Sequence, residues 1–320
     1  MVDKKPRQLE RAVWKAEDTL IAAKELLPER FYQSPPTWMG YILIVPGFLL
    51  VSFLFVGMFI LTAYSFLTHD PFEFIIYEFT LENWETLLGR RGYYSIFVRT
   101  IGLSLLITAL SVAFALPYAY LTIRVRSALV RKLLLISLFV PFFTGVIVRA
   151  YGWLIILGRN GLLNSALGVV GIEPIRFIGT RTGVVIGLLQ IMIPFAIIML
   201  APAIQNIDRS LELAASNLGA NRLDTFRYVV IPLSLPGIAG ATIVVFTITS
   251  ATYAIPELVG GGQVTFVANL IFRTLFDSGN WPLAAAFSVA LVIVSSIVVL
   301  FVFQVVGTGT LGVDTGDPDE

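Results

Sequence analysis

Cysteine is absent from this chain, and histidine occurs once, at His69. Without cysteine there are no disulfides and no thiolate metal sites. A lone imidazole cannot build a transition-metal cluster, so His69 reads as a surface residue of a loop. Charge is sparse as well. Charged residues make up 13% of the 320, against about a quarter in an average soluble domain, and the net charge is +1. Bulk electrostatics therefore points to no particular partner, and no nucleic-acid role is expected. No phosphate-binding G-x-x-x-x-G-K-[ST] pattern occurs, so any nucleotide energy must arrive on another chain. No His/Glu/Asp cluster, Ser–Lys dyad or metal motif stands at usable spacing, which argues against an intramembrane enzyme and a cofactor of its own.

What fills the chain is apolar. Hydrophobic residues reach 57% and mean hydropathy is +0.84. Uncharged runs cover 41–69, 100–123, 133–148, 182–207, 229–256 and 282–313. A membrane-spanning helix needs roughly 20 apolar residues. Five runs suffice alone, and the third must continue past Arg149 to about Leu157. The expectation is an all-α polytopic membrane protein with six spans, near 41–67, 97–123, 133–157, 183–203, 229–254 and 283–306. The charged stretch before the first run does not read as a cleavable signal peptide.

Basic residues enrich cytoplasmic loops. With the N-terminus inside, the inner segments (the N-terminal tail, 124–132 and 208–228) hold fourteen Lys and Arg; the outer loops hold six. Both termini are thus expected inside, in a bacterial inner membrane. Residues 1–40 form a cytoplasmic tail whose apolar spacing fits either an interfacial amphipathic helix or a solvated one. The membrane domain is 41–306, with its core at 97–306, and 307–320 is an acidic tail. Pro46, Pro117 and Pro194 stand within the first, second and fourth runs, and Pro141 with Gly145 interrupts the third. Ser104, Thr108 and Ser111 share helical spacing in the second, where small polar residues allow close helix approach.

One polar island stands out between the fourth and fifth runs: LELAASNLGANRLDTFRYVVIPLSLPG, residues 211–237. Leu211, Ala214, Ala215 and Leu218 fall on one small apolar face of a helix; Asn217, Asn221 and Asp224 point elsewhere. Gly219 permits a sharp turn that a Cβ would oppose. Pro232 and Pro236 mark the entry into the fifth run. Such a short surface helix suits insertion into a groove of a soluble partner, although an ordinary cytoplasmic loop has similar periodicity.

This stretch resembles the cytoplasmic coupling loop of ABC importer permeases: E-A-A, three residues, G, nine residues, I-x-L-P. Ala214, Ala215, Gly219 and Pro232 match, with Val229 and Ile231 at the Ile and Leu positions. Leu213 fills the Glu position, and Glu212 stands one residue earlier. PFFTGVIVRAYGW (141–153), GLLNSALGVVGI (161–172), IPLSLPGI (231–238), NWPLAAAFSVAL (280–291) and AYSFLTHDPFEF are similar to spermidine/putrescine-type permeases. The resemblance implies a type I importer permease working by alternating access. Its partners would be a second permease, two cytoplasmic ATPases that carry ATP and Mg, and an extracytoplasmic substrate-binding protein. The cargo would be a polyamine or related cation; opines, amino-acid derivatives and organic anions are the alternatives. The coupling loop spans 208–232, and its ATPase-coupling residues would be Glu212, Ala214, Ala215, Gly219, Ala220, Asp224 and Pro232.

Charges inside spans are costly and point to function. Arg149 is one such candidate. Glu257 follows Tyr253 and Pro256, and an acid beside an aromatic suits an ammonium ion. Asp277 and Trp281 make a second such pair. Glu257, Tyr253, Asp277, Trp281 and Arg149 are the candidate substrate-pathway residues. A transporter driven by ions alone would leave the island at 211–237 idle.

Overall fold

The computed structural model describes residues 37–306, apart from residue 73. The expected N-terminal amphipathic pattern and the acidic tail lie outside the described residues. The chain divides into two compact units, 1–60 and 61–320. The first helix, α1 (Thr37–Tyr64), runs across that boundary and carries Pro46. Its apolar residues occupy its whole circumference, as suits a membrane span.

After α1 comes a small element that hydropathy does not announce. Strands β1 (Leu67–Thr68) and β2 (Ile76–Phe79) pair antiparallel, with Leu67 opposite Phe79. Helix α2 (Glu82–Gly89) folds against them. Buried Asn83 donates to the carbonyls of Ser65 at 3.1 Å and Leu67 at 2.8 Å, while Phe66 stacks on Phe79 and Trp84. The amide thus supplies what the strand ends leave unpaired.

Helix α3 (Arg91–Arg124) is 34 residues long. At 1.5 Å per residue it extends about 50 Å, more than the roughly 30 Å hydrocarbon layer. The third apolar run is broken as its Pro and Gly imply. Helix α4 (Ala128–Phe139) continues through a 3₁₀ turn, Val140–Phe143, and meets α5 (Val146–Ile156) at 105°. A short helix α6 (Leu162–Val169) follows. Helix α7 (Arg181–Gln205) is a continuous span capped by Thr180.

The polar island forms α8 (Arg209–Asn217), α9 (Arg222–Thr225), a π-turn over Phe226–Val230, and α10 (Ile231–Leu233). The chain turns at buried Ser234, between the two prolines, into α11 (Leu235–Ser250); residues 222–233 and α11 meet at 70°. Pro232 itself sits within the short helix and does not end it; the turn comes two residues later. Beyond lie α12 (Ala254–Leu258), α13 (Val267–Phe272) and the long α14 (Trp281–Val306). Among the described residues four helices are long and apolar enough to cross a membrane, and six if each bent pair crosses as one.

Helices α3, α7 and α11 pack on one another around Ile107, Leu188, Met192, Leu200 and Val245. Ser104, Thr108 and Ser111 are all buried in α3. Gly237 shows how close the contact is: a Cβ there would stand 2.4 Å from the Ala203 Cβ. A second cluster, centred on Phe97, Val267 and Phe287, sits at the other end of α3.

Candidate functional site

Local chemistry builds the island between α7 and α11 piece by piece. Asp208 caps α8, its carboxylate accepting the Ser210 amide at 2.8 Å. That hydrogen bond holds the Asp208 carboxyl below the usual aspartate range. At the far end the Gly219 amide donates to the Ser216 carbonyl and the Ala220 amide to that of Ala215, both at 3.0 Å. This is the paired closure of a Schellman turn, and Gly219 supplies its left-handed residue at φ +92°. Asn221 then caps α9, accepting the amides of Leu223 and Asp224 at 2.9 Å each.

The result is a helix–turn–helix with an exposed apolar crest. Leu218 is 90% exposed, Leu223 72% and Leu213 65%; Leu211 and Ala214 are exposed beside them. Leu213, which stands where the family pattern has Glu, therefore points outward. Glu212 points inward instead. One carboxylate oxygen lies 2.6 Å from the Arg124 guanidinium, and the other accepts the Tyr120 hydroxyl at 2.8 Å. Arg124 also donates to the Ile207 carbonyl at 2.7 Å. Sequence reasoning grouped Glu212 with the partner-facing residues; the geometry occupies it within the chain. Ala215 and Ala220 are half-buried beside it, and Asp224 is likewise only partly exposed.

Four of the pathway candidates, Glu257, Tyr253, Asp277 and Trp281, lie toward the opposite end of α3. Glu257 on α12 is not a free acid. Arg273 reaches one oxygen at 2.9 Å and the Asn269 amide donates to the other at 2.8 Å. Fully buried Asn269 also donates to the Tyr253 carbonyl at 3.1 Å and accepts the Phe266 amide at 3.1 Å. The Tyr253 ring lies against Phe272, with centroids 4.8 Å apart. Asp277 and Trp281 are exposed and make no ion pair or hydrogen bond with Glu257. Arg149, on α5, is half-buried and its Nε is buried without a partner. One turn on, the Trp153 indole donates to Gln190 at 3.3 Å. No described acid pairs with Arg149.

Arg124, Tyr120, Asn269 and Arg273 are the residues that sequence reasoning missed. Arg124 has a signal, as a cation in the last turn of a helix, but it reads as one vote for the inner side. Asn269 and Arg273 stand four apart, so their common face is visible; their aim at Glu257 is not. At this same end lies a polar cavity of about 330 Å³, lined by His69, Glu82, Arg90, Tyr93 and Asn280 among others.

The family model described as binding-protein-dependent transport system inner membrane component matches residues 108–308. The chain belongs to this family. The match begins midway along α3 and takes in α7, α11 and the whole helix–turn–helix. The chain is 34% identical over 253 residues to the spermidine/putrescine transport system permease protein PotB of Escherichia coli (strain K12), covering 78% of this chain and 91% of that one. To the protein of the same name from Haemophilus influenzae it is 31% identical over 270 residues, covering 84% and 90%. It is 30% identical over 286 residues to the inner membrane ABC transporter permease protein YdcU of Escherichia coli (strain K12), covering 85% and 91%. A bacterial alginate ABC transporter, crystallised with its alginate pentasaccharide-bound periplasmic protein, superposes with a TM-score of 0.70. That pair is 18% identical, covers 89% of this chain and 99% of the other, and speaks for the fold alone. This chain is accordingly a multi-pass inner-membrane permease of an ABC importer, with the type I fold. It is a transport subunit and not an enzyme; ATP acts on partner ATPase subunits in importers of this family.

Proposed function

We propose that this permease passes a polyamine or a closely related small cation, handed over by an extracytoplasmic binding protein, and that α8–α10 is where an ATPase grips it. The substrate reading rests on the likeness to the spermidine/putrescine permeases at 30% identity or more over most of both chains. The docking reading rests on one observation: an exposed apolar crest on a tightly closed helical turn between two spans. Ala214, Gly219 and Pro232, with Leu213, Leu218 and Leu223, form the exposed face in this reading; Ala215, Ala220 and Asp224 support it from behind. Two such ATPases and a second permease, a different chain, complete the assembly. Both termini then lie in the cytoplasm, as the distribution of basic residues suggests. Residues 41–306 act as the permease domain, with 97–306 as its core, flanked by the tails 1–40 and 307–320.

A cation entering near Tyr253 must compete with Arg273 for Glu257, so the acid acts in exchange: the guanidinium yields as the ammonium arrives. Asp277 and Trp281 act earlier on the route, at the exposed surface. A second reading has its own support. Arg149 is a half-buried cation without an acid partner among the described residues, which favours a solute carrying an anionic group, such as an opine or an amino-acid derivative. Uptake of labelled putrescine, spermidine and an opine into cells lacking their own systems, with this permease and its partners expressed, separates the two. Saturable polyamine uptake abolished by omitting this chain supports the first reading. Opine uptake alone overturns it.

A further inference from the structure

Arg124 is the last residue of α3, and Tyr120 stands one turn before it. Both reach the same carboxylate on α8, at 2.6 Å and 2.8 Å. The Arg124 and Glu212 side chains are only 14% and 15% exposed. Arg124 also holds the Ile207 carbonyl, in the connection between α7 and α8. The Tyr120 ring meets Phe226 of the π-turn edge-on, with centroids 5.3 Å apart. One small cluster therefore joins the end of a transmembrane helix to both arms of the helix–turn–helix. Exposed ion pairs are weak and readily broken; this one is shielded, shared with a hydroxyl, and continued into backbone. A rigid joint needs a tie of this kind, because α8 otherwise lies on the surface with Leu211, Leu213 and Leu218 exposed.

We infer that Arg124, Tyr120 and Glu212 form a positioning joint that makes α3 move with the ATPase-docking element, so that nucleotide-driven motion reaches the bundle core directly as well as through the chain ends of α7 and α11. This rests on α8–α10 being the docking element. It gives Glu212 a role different from contact with the ATPase: it transmits what the exposed crest receives.

The test uses the assembled transporter in proteoliposomes, with both permeases, the ATPases and the binding protein. The variants are Glu212→Gln, Arg124→Gln, Tyr120→Phe and the double Arg124→Gln/Glu212→Gln. The readouts are solute moved per ATP hydrolysed, half-saturating solute concentration, and ATPase recovered with the permease. The joint predicts that each charge variant retains the ATPase yet moves less solute per ATP, by about fivefold, a modest inter-site coupling. The half-saturating concentration stays unchanged. The double variant is no worse than either single one, because one shared interaction is lost. Tyr120→Phe, which keeps the ring, falls between. An unchanged ratio in both single variants overturns the inference. So does loss of the ATPase from Glu212→Gln but not from Arg124→Gln, which makes Glu212 a subunit contact. The docking reading has a separate check: the introduced thiol of Leu218→Cys is shielded by bound ATPase. Shielding together with an unchanged ratio removes the joint alone.

Discussion

Replacing Gly219 isolates backbone strain from packing. The residue sits at φ +92°, and nothing lies within 4 Å of where a Cβ would stand. Any penalty is therefore conformational. For an ordinary L-residue the left-handed region costs about 1–2 kcal/mol; a β-branched one is a genuine outlier there, and strained positions run to about 3 kcal/mol. Asn tolerates the region best among non-glycine residues. The series Gly219→Asn, Gly219→Ala and Gly219→Val should thus depopulate the Schellman turn progressively. At 1.4 kcal/mol per factor of ten, Ala costs about five- to thirtyfold in the competent turn and Val more. If the turn must be formed for docking, apparent ATPase affinity falls with the competent fraction, by up to the same factors. Titrating purified ATPase onto the permease pair in nanodiscs reads this. Equal affinity across the series refutes the claim that the turn presents the docking surface. A loss that follows side-chain volume, with Asn as damaging as Val, refutes the backbone argument.

Other consequences follow from the same geometry. Gly237→Ala sets a Cβ 2.4 Å from that of Ala203; overpacking costs about 1–3 kcal/mol, so a lower unfolding temperature in detergent is expected, and an unchanged one would deny the close α7–α11 contact. Arg273→Gln frees Glu257 from its ion pair. If a cation exchanges with that guanidinium, half-saturating cation concentration shifts in Arg273→Gln and uptake weakens in Glu257→Gln; wild-type kinetics in both remove Glu257 from the pathway. Asp208 titrates below the usual aspartate range because its ionised form accepts the Ser210 amide. Its support of the α8 start is present above the ordinary aspartate range and is lost as pH falls through the lowered value. Amide exchange at the start of α8, corrected for intrinsic rate, should lose protection in acid, and Asp208→Asn should flatten that dependence.

Much of the architecture can be read from the chain because hydropathy is a one-dimensional signal. The spans expected at 183–203 and 283–306 become α7 and α14 to within about two residues at each end. The breaks at Pro141–Gly145 and Pro232–Pro236 are equally visible, since proline removes a donor and glycine a Cβ. Their angles, 105° and 70°, are not, because the breakers fix where a helix stops and packing fixes where the next one goes. The β1–β2 hairpin escapes notice because its strands are short and its aromatics read as loop. The island and Gly219 are evident locally, as capping and turn chemistry must be. The inward aim of Glu212 is not, since Arg124 and Tyr120 arrive from a distant helix. Glu257 teaches the same lesson: an acid beside Tyr253 suggests a cation site, and only tertiary folding supplies Arg273 and Asn269 as its partners.

The lack of native cysteine makes one measurement especially direct. A single Leu218→Cys, at the most exposed of the crest residues, is treated with a membrane-impermeant maleimide. A crest that faces the cytoplasm and seats an ATPase is labelled in inside-out vesicles stripped of ATPase, is shielded when the ATPase is restored, and stays unlabelled in intact spheroplasts. Labelling of intact spheroplasts, or equal labelling of vesicles with and without the ATPase, would contradict both the orientation and the docking role.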